Sequence, residues 1–193
     1  MSPTAELLFS AFRQLLEEKP YKKITVRDLV DRCHVNRNTF YYHFEGIPDL
    51  MDHYMAHWCG EILQQTESSE NPLLAILPAA KALKEHGAAV QHLAGSPAWP
   101  DMLRHLETLC GHISSRYIKA AAAGAAAGYD ALVQDVRTLS EDDRNALVRF
   151  YCAVLYGCLI SWLKADMSYD LDADLTRISA LIRQISPGSQ SRS

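Results

Sequence analysis

The chain has 193 residues, 48% of them hydrophobic, which suits one or two compact domains with a substantial core. Its formal net charge of −4 argues against a uniformly basic nucleic-acid-binding protein. The five cysteines include no C-x-x-C pair, so we predict neither a disulfide framework nor a zinc site.

The N-terminus shows no basic segment followed by an apolar stretch, so we predict no signal peptide. The Ala-rich run at residues 120–127 is far shorter than a membrane span. We therefore expect a protein of the cytoplasm with no membrane partner.

Basic charge is concentrated near the N-terminus. Residues 1–45 hold seven Lys and Arg against six Asp and Glu, whereas the remainder holds twelve against seventeen. Between positions 22 and 43 only Asp28 and Asp31 oppose the basic side chains, which are Lys22, Lys23, Arg27, Arg32 and Arg37. This local excess keeps nucleic-acid binding open.

The first predicted helix runs from Pro3 to Glu18, with Ser2 as its N-cap and Pro3 in its first turn. Its apolar residues follow helical spacing and are Leu8, Ala11, Phe12 and Leu15. Pro20 ends the helix, because the residue before a proline disfavours the α conformation.

Two short helices follow. The second is predicted over Val26–Cys33, with Thr25 as N-cap and Asp28 placed to complete a capping box. The third is predicted over Arg37–His43, with Asn36 as N-cap. The turn between them is only a few residues long, so the three helices predict a helix-turn-helix.

The third helix has one apolar side and one polar side. Phe40 and Phe44 stand four residues apart and are predicted to be buried. The exposed residues are polar or aromatic and none is acidic: Arg37, Asn38, Thr39, Tyr41, Tyr42 and His43. Since the major groove of double-stranded DNA admits an α-helix, we predict that this face binds DNA.

The rest of the chain also shows helical spacing and no strand pattern, so the predicted fold class is all-α. We predict helices over residues 48–66, 98–127, 141–164 and 172–185, and one bent or two abutting helices over 73–93 with irregularities at Pro78 and Gly87.

The string T-x-x-D at residues 25–28 and the string V-x-x-x-T-F-Y-Y-H-F at residues 35–44 resemble the TetR family of transcriptional regulators. The resemblance covers about residues 6–54 and extends, more distantly, to regulators of dihydroxyacetone-kinase operons. It implies a DNA-binding domain at residues 1–46, a helical regulatory and dimerisation domain at 47–186 and a flexible tail at 187–193. It also implies a homodimer that binds a palindromic operator, as a repressor, with no enzymatic activity.

The resemblance also implies roles for single residues. Thr25 would present its hydroxyl and backbone N–H to a phosphate. Base edges would be contacted by Arg37, Asn38 and Tyr41, and phosphates by Thr39, Tyr42 and His43. Asn36 completes the predicted DNA-binding set. Alternatively, His43 caps the helix C-terminus, and Tyr41 or Tyr42 packs on the fourth helix.

Two positions depart from the family pattern. His34 stands where the family usually has glycine, so a positive φ there would carry a small strain. Glu45 stands where a basic residue is common and weakens the attraction to DNA. Neither departure removes a donor from the third helix.

The larger domain is expected to form the dimer and to bind a small organic ligand. The last two helices are the predicted interface, through Leu155, Leu159, Trp162, Ile178, Leu181 and Ile182, although these residues can also be ordinary core. The predicted ligand-binding residues are Tyr54, His57, Trp58, Trp99, Met102, His105, Tyr117, Tyr151 and Tyr156. His53 and His57 lack a third metal ligand, so we predict no metal and no cofactor.

We expect the ligand to act by changing the tilt of the fourth helix, which joins the two domains. Ligand-promoted activation is equally compatible with the sequence. Two rival interpretations are a DNA-bound adaptor that recruits a protein without sensing a ligand, and, more remotely, an all-α enzyme.

Overall fold

The computed structural model describes residues 2–66, 71–123 and 136–185. Within these ranges the chain forms nine α-helices and no strand, so the all-α prediction is confirmed. The helices are α1 (Pro3–Glu18), α2 (Val26–Cys33), α3 (Arg37–His43), α4 (Ile47–Gln65), α5 (Leu77–Glu85), α6 (Gly87–Leu93), α7 (Trp99–Ala122), α8 (Glu141–Lys164) and α9 (Leu171–Ile185). Short 3₁₀ turns occupy Tyr21–Lys23, Leu74–Ile76 and Val136–Thr138.

Side-chain caps explain why the first three helices and α8 begin where the sequence predicts. In each case an oxygen of the cap accepts the backbone N–H three residues further on, which satisfies one of the unpaired donors of the first turn. The caps are Ser2, Thr25, Asn36 and Ser140.

The irregularity predicted within residues 73–93 lies at one of the two expected places. Helix α5 ends at Glu85, and His86, with φ −106° and ψ 35°, separates it from α6, which begins at Gly87. Pro78 causes no break because it lies in the first turn of α5, where the backbone N–H has no helical partner to lose.

Two predicted boundaries fall outside the described residues. The expected extension of α7 to residue 127 is described only as far as residue 123. The predicted tail at residues 187–193 lies beyond the last described residue.

The chain divides into two compact units. The first comprises residues 1–60 and 82–105, and the second comprises residues 61–81 and 106–193. In the first unit α1 packs against α2 and α6, and α2 packs against α3. The first unit thus contains more than α1–α3, and the domain boundary at residues 46 and 47 stays a prediction.

The core of the first unit is built around the apolar stripe of α1. Leu8 and Phe12 of this stripe are fully buried, as the sequence predicts. The other fully buried large side chains of this unit are Leu16, Leu29, Phe40, Leu50, Met51 and Met102. Phe40 therefore fixes α3 to the same core as α1.

The core of the second unit corrects part of the predicted dimer interface. Leu155 and Leu159 are fully buried within the protomer, and Trp162 is nearly so, with its indole N–H donating to the carbonyl of Tyr169 at 3.0 Å. These three side chains cannot reach a second subunit, because helices of their own chain already cover them.

Three large apolar side chains of α8 and α9 are exposed. Phe150 on α8 and Ile178 and Leu181 on α9 are 52%, 42% and 47% exposed, while Ile182 is half-buried. Ile178 and Leu181 are therefore not core of the protomer, since Leu171, Leu175 and Ser179 form the buried stripe of α9. Their role in a dimer interface stays a prediction.

Helix α8 is the one described helix that is long and apolar enough to cross a membrane by length and composition. Only 22% of its apolar window is buried within the chain. The prediction of no membrane span rested on residues 120–127 and overlooked the apolar run of α8 at residues 150–160.

Candidate nucleic-acid interface

The turn between α2 and α3 is sharp because one residue adopts a left-handed conformation. His34 ends α2 with φ 54° and ψ 37°, and its backbone N–H donates to the carbonyl of Val30. The backbone at this position is therefore the one that glycine adopts most easily, and histidine accepts a modest strain there.

Buried aromatic rings hold α3 in place. Phe40 is fully buried and Phe44 is 4% exposed, with their ring centroids 6.0 Å apart. The Phe44 ring lies 5.7 Å from that of Phe9 on α1. Both phenylalanines therefore belong to the core, and they orient the opposite side of α3 towards solvent.

The solvent-facing side of α3 carries the predicted DNA-binding residues. Tyr42 is 84% exposed and Tyr41 is 56% exposed, although the Tyr41 ring also contacts Phe40 edge-on at 5.3 Å. This exposure argues against packing of Tyr42 on α4. The remaining members are the exposed Asn36, Arg37 and Asn38 and the half-buried Thr39 and His43.

Asn36 has a structural task at the start of α3. Its side-chain oxygen accepts the backbone N–H of Thr39 at 2.8 Å and the Thr39 hydroxyl at 3.0 Å. Asn36 and Thr39 therefore order the first turn of α3, next to Arg37 and Asn38.

The predicted role of Thr25 needs a correction. Its backbone N–H donates to Oδ2 of Asp28 at 2.8 Å, and its hydroxyl donates to the same oxygen at 2.7 Å. Neither donor is free for a phosphate, because the capping box of α2 already uses both. Hydrogen bonds from Lys19 and Thr25 lower the pKa of Asp28 to about 2.

Acidic residues of the chain offset part of the basic charge around α2. Both oxygens of Glu18 accept from the guanidinium of Arg32 at 2.6 Å, and Arg27 lies 3.4 Å from Asp31. Sequence reasoning missed Glu18, because it lies on α1 and pairs across fourteen residues. Lys22, Lys23 and Arg37 form no ion pair within the described part of the chain.

Three predicted ligand-binding residues line a cavity in the first unit. Tyr54, Trp58 and Met102 surround a space of about 40 Å³ together with side chains of α1, α5 and α6. This space holds little more than one or two water molecules, whereas sites for drug-sized ligands span roughly 300–1,000 Å³. In this structure the cavity is too small for the predicted organic ligand.

The other three predicted residues of this unit do not line this cavity. His57 stacks on Phe9 with ring centroids 5.5 Å apart, and Trp99 is half-buried. His105 is buried with Nε2 2.8 Å from Oδ1 of Asp52. Hydrogen bonds from Arg104 and His105 lower the pKa of Asp52.

The remaining predicted ligand residues belong to the second unit. Tyr117 and Tyr151 are buried with their rings 5.9 Å apart, and Tyr156 is half-buried. None of them lines the open cleft of about 460 Å³ found in this unit, which lies between the end of α7 and the start of α8. Sequence reasoning sought a pocket among aromatic residues and missed this cleft.

The two histidines considered for metal binding are engaged otherwise. His53 lies 2.9 Å from the Asp49 carbonyl through Nδ1, and His57 stacks on Phe9. Among the described residues no group of three His, Cys, Asp or Glu side chains is arranged to hold a metal ion.

Comparison with known proteins identifies the N-terminal segment. Residues 8–54 match the family model described as bacterial regulatory proteins, tetR family. The resemblance predicted from the T-x-x-D and T-F-Y-Y-H-F strings is thereby confirmed over this segment. Comparison with curated protein sequences gives no match.

Solved structures extend the similarity of fold to almost the whole chain. The dihydroxyacetone kinase operon activator DhaS is 16% identical with a TM-score of 0.69, over 95% of this chain and 96% of that one. The fatty acid degradation regulator FadR from Bacillus halodurans is 16% identical with a TM-score of 0.54, over 100% and 99%. A TetR transcriptional regulator from Rhodococcus sp. RHA1 is 18% identical with a TM-score of 0.52, over 91% and 92%.

Proposed function

We propose that this chain, whose residues 8–54 match the model of the tetR family, binds DNA through this segment and represses transcription by binding a palindromic operator as a homodimer. The observation that carries the proposal is the solvent-facing side of α3. It presents hydrogen-bond donors and tyrosines without any acid, on a helix anchored by Phe40 and Phe44. We propose no enzymatic activity, and we place the protein in the cytoplasm, where a bacterial chromosome lies.

We assign base recognition to three exposed residues of α3, two at its start and one a turn later. Arg37 can donate two hydrogen bonds to the O6 and N7 of a guanine, and Asn38 and Tyr41 lie beside it on the same helix. Tyr42, Thr39 and His43 donate to phosphates and set the register of the helix on the duplex. Exposed Lys22 and Lys23 add attraction to the backbone.

The test compares two substitutions on α3. Arg37→Ala removes a base contact, so it is expected to lower operator affinity about 10- to 100-fold and to relax the preference at one base pair. Tyr42→Phe removes one hydroxyl and is expected to weaken all duplexes to a similar, smaller extent. Fluorescence anisotropy with operator and scrambled duplexes, the operator having been selected from random DNA, measures both effects.

Wild-type operator affinity and sequence preference in both variants would contradict the placement of α3 in the groove. Glu61→Ala is a suitable control, because Glu61 is exposed near the end of α4, beyond the segment that matches the family. Its operator affinity is expected to equal that of the wild type.

The proposed dimer buries the exposed apolar side of the α8–α9 hairpin. Phe150, Ile178 and Leu181 lie on this side, and two such hairpins can form a four-helix bundle. A two-fold dimer places its two copies of α3 in major grooves about 34 Å apart, or a multiple of this distance, which requires a palindromic site.

Modulation by a small organic ligand is the second part of the proposal. Helix α4 begins in the first unit and ends in the second, so a ligand that favours one tilt of α4 would change the spacing of the two α3 helices. The FadR structure from Bacillus subtilis, which shares this fold, was solved in complex with stearoyl-CoA. Measuring operator affinity with and without candidate ligands tests this part, and unchanged affinity across a broad screen contradicts it.

Activation is the second candidate, favoured by the similarity of fold to an operon activator. A reporter gene placed behind the selected operator distinguishes repression from activation. Repression predicts higher expression in cells that lack the protein, whereas activation, including recruitment of a protein partner without a ligand, predicts lower expression.

A further inference from the structure

The cleft between the end of α7 and the start of α8 has the size of a ligand site. Its volume of about 460 Å³ lies within the range of roughly 300–1,000 Å³ that small-molecule sites occupy. All of its described lining residues belong to the second unit, and none belongs to the DNA-binding segment.

The polar lining of the cleft carries a net positive charge. Lys119 from α7 and Arg144 from α8 are opposed by one acid, Glu141. Ser115 and Asn145 add groups that can donate hydrogen bonds. An excess of one positive charge suits a ligand with one negative charge better than a dianion.

Arg144 has a buried donor without a hydrogen-bond partner among the described residues. One of its terminal nitrogens donates to the carbonyl of Arg137 at 3.2 Å, but its buried Nε has no such partner. A buried donor without a partner is energetically costly, and more so when the group is charged. Its position at the cleft makes this donor available to an acceptor on a bound ligand.

The remainder of the lining is apolar. Ile118 is buried, Ala122 and Val148 are half-buried, and all three face the same cleft as the two cations. The cleft therefore combines a cationic part with a surface that favours hydrocarbon. We propose that it binds a small organic carboxylate, with the carboxylate on Arg144 and Lys119 and the hydrocarbon chain against Ile118, Ala122 and Val148.

Titration calorimetry of the full chain with hexanoate, 1-hexanol and hexylamine tests the proposal. The three probes share the hydrocarbon chain and differ in charge. Hexanoate is expected to bind, 1-hexanol to bind at least tenfold more weakly, and hexylamine not to bind, because a charge-assisted hydrogen bond contributes about 1.5–3 kcal/mol. Equal binding of hexanoate and 1-hexanol, or no heat from 10 mM hexanoate (about ten times a Kd of 1 mM, which is typical of a weak site), would overturn it.

Two variants locate the site. Arg144→Gln is expected to weaken hexanoate binding at least tenfold, whereas Arg149→Gln, an exposed arginine of α8 outside the cleft lining, leaves it unchanged. Val148→Trp keeps both cations but fills the apolar part, so it is expected to abolish binding. Circular dichroism melting curves verify that each variant is folded, and hexanoate binding that survives both Arg144→Gln and Val148→Trp contradicts the assignment.

The proposed carboxylate site and the proposed DNA-binding function can be contradicted independently of each other. The calorimetry needs no DNA, so absence of operator binding leaves the carboxylate site standing. Conversely, absence of hexanoate binding leaves operator binding by α3 untouched, because Arg37 and the other α3 residues lie outside the cleft.

Discussion

The carboxylate of Asp28 contacts both Lys19, at the end of α1, and Thr25, the N-cap of α2. Its Oδ2 accepts the N–H and the hydroxyl of Thr25 and lies 2.8 Å from Nζ of Lys19. These contacts stabilise the ionised form, which is why the pKa falls to about 2. The carboxylate thus orders the start of the helix-turn-helix.

The low pKa of Asp28 predicts a pH-dependent contribution to stability. A carboxyl group whose pKa is depressed in the folded state stabilises the fold above its unfolded pKa of about 3.9, and the contribution is lost as the pH falls through about 2. Asp28→Asn is therefore expected to lower the free energy of unfolding by about 1 kcal/mol at pH 7. The difference from the wild type should shrink below pH 4.

Urea unfolding monitored by circular dichroism between pH 7 and pH 3 measures this difference. Asp31→Asn is the matched control, since Asp31 is exposed and pairs only with Arg27 at 3.4 Å on the same helix. Its effect is expected to stay below about 0.5 kcal/mol. A pH-independent difference for Asp28→Asn would contradict the assignment.

A side-chain contact could be predicted from the sequence where its two residues are close together in the chain. Thr25 and Asp28 are three residues apart, so their capping box could be predicted. Lys19 and Glu18 are not local partners of α2, and no sequence pattern indicates that they contact Asp28 and Arg32. The predicted free donors on Thr25 were wrong for a related reason, because the cap that was correctly predicted consumes them.

At the level of the element, α3 depends on its cap more than longer helices do. It has only seven residues, and Asn36 supplies two hydrogen bonds to its first turn. Short helices have little intrinsic stability, so their ends decide whether they form.

Asn36→Ala is expected to lower the free energy of unfolding by about 1 kcal/mol and to weaken all duplexes, since a frayed first turn displaces Arg37. Asn38→Ala is the matched comparison, because Asn38 is exposed and is not the cap. It should leave stability unchanged and affect only base preference. Thermal melting and anisotropy separate the two, and equal melting temperatures for both variants would contradict the cap's role.

The bounds of the helices could largely be predicted, because caps, prolines and glycines are local signals. It was harder to predict which side of a helix is buried. In α9 the large apolar residues share one face of the helix, so periodicity alone did not show that Leu175 on this face is buried while Ile178 and Leu181 are exposed. Only the packing of α9 against residues 74–76 shows which side is covered.

At the scale of the whole molecule, the exposed side of the α8–α9 hairpin predicts the oligomeric state. Leu181→Glu would place a charge at the centre of the proposed interface, so it is expected to convert the dimer to a monomer at micromolar concentration. Thr176→Glu is the control, because Thr176 is exposed on another side of α9. Light scattering gives the masses.

A dimer that survives Leu181→Glu would contradict the proposed interface. Operator affinity provides an independent readout, because a monomer holds only one half-site. The variant is expected to lose at least 100-fold in affinity for the full palindrome while keeping its affinity for a single half-site.

The ligand pocket could not be predicted from residue types. Residue types suggested nine positions, yet these belong to two different units, and four of them (Met102, His105, Tyr117 and Tyr151) are buried. The open cleft of the second unit is lined instead by alanines, charged groups and short polar side chains. Concavity is a property of tertiary packing, and no local pattern in the chain encodes it.

If the protein binds DNA as proposed, the ion pair between Arg32 and Glu18 affects how it searches a chromosome. An arginine already neutralised within its own subunit displaces few of the cations condensed on a double helix. When fewer counterions are displaced, the DNA affinity depends less steeply on ionic strength, and the affinity for unrelated sequences is lower. A regulator of this kind dissociates quickly from unrelated sequences and keeps its affinity for the operator when the intracellular potassium concentration rises.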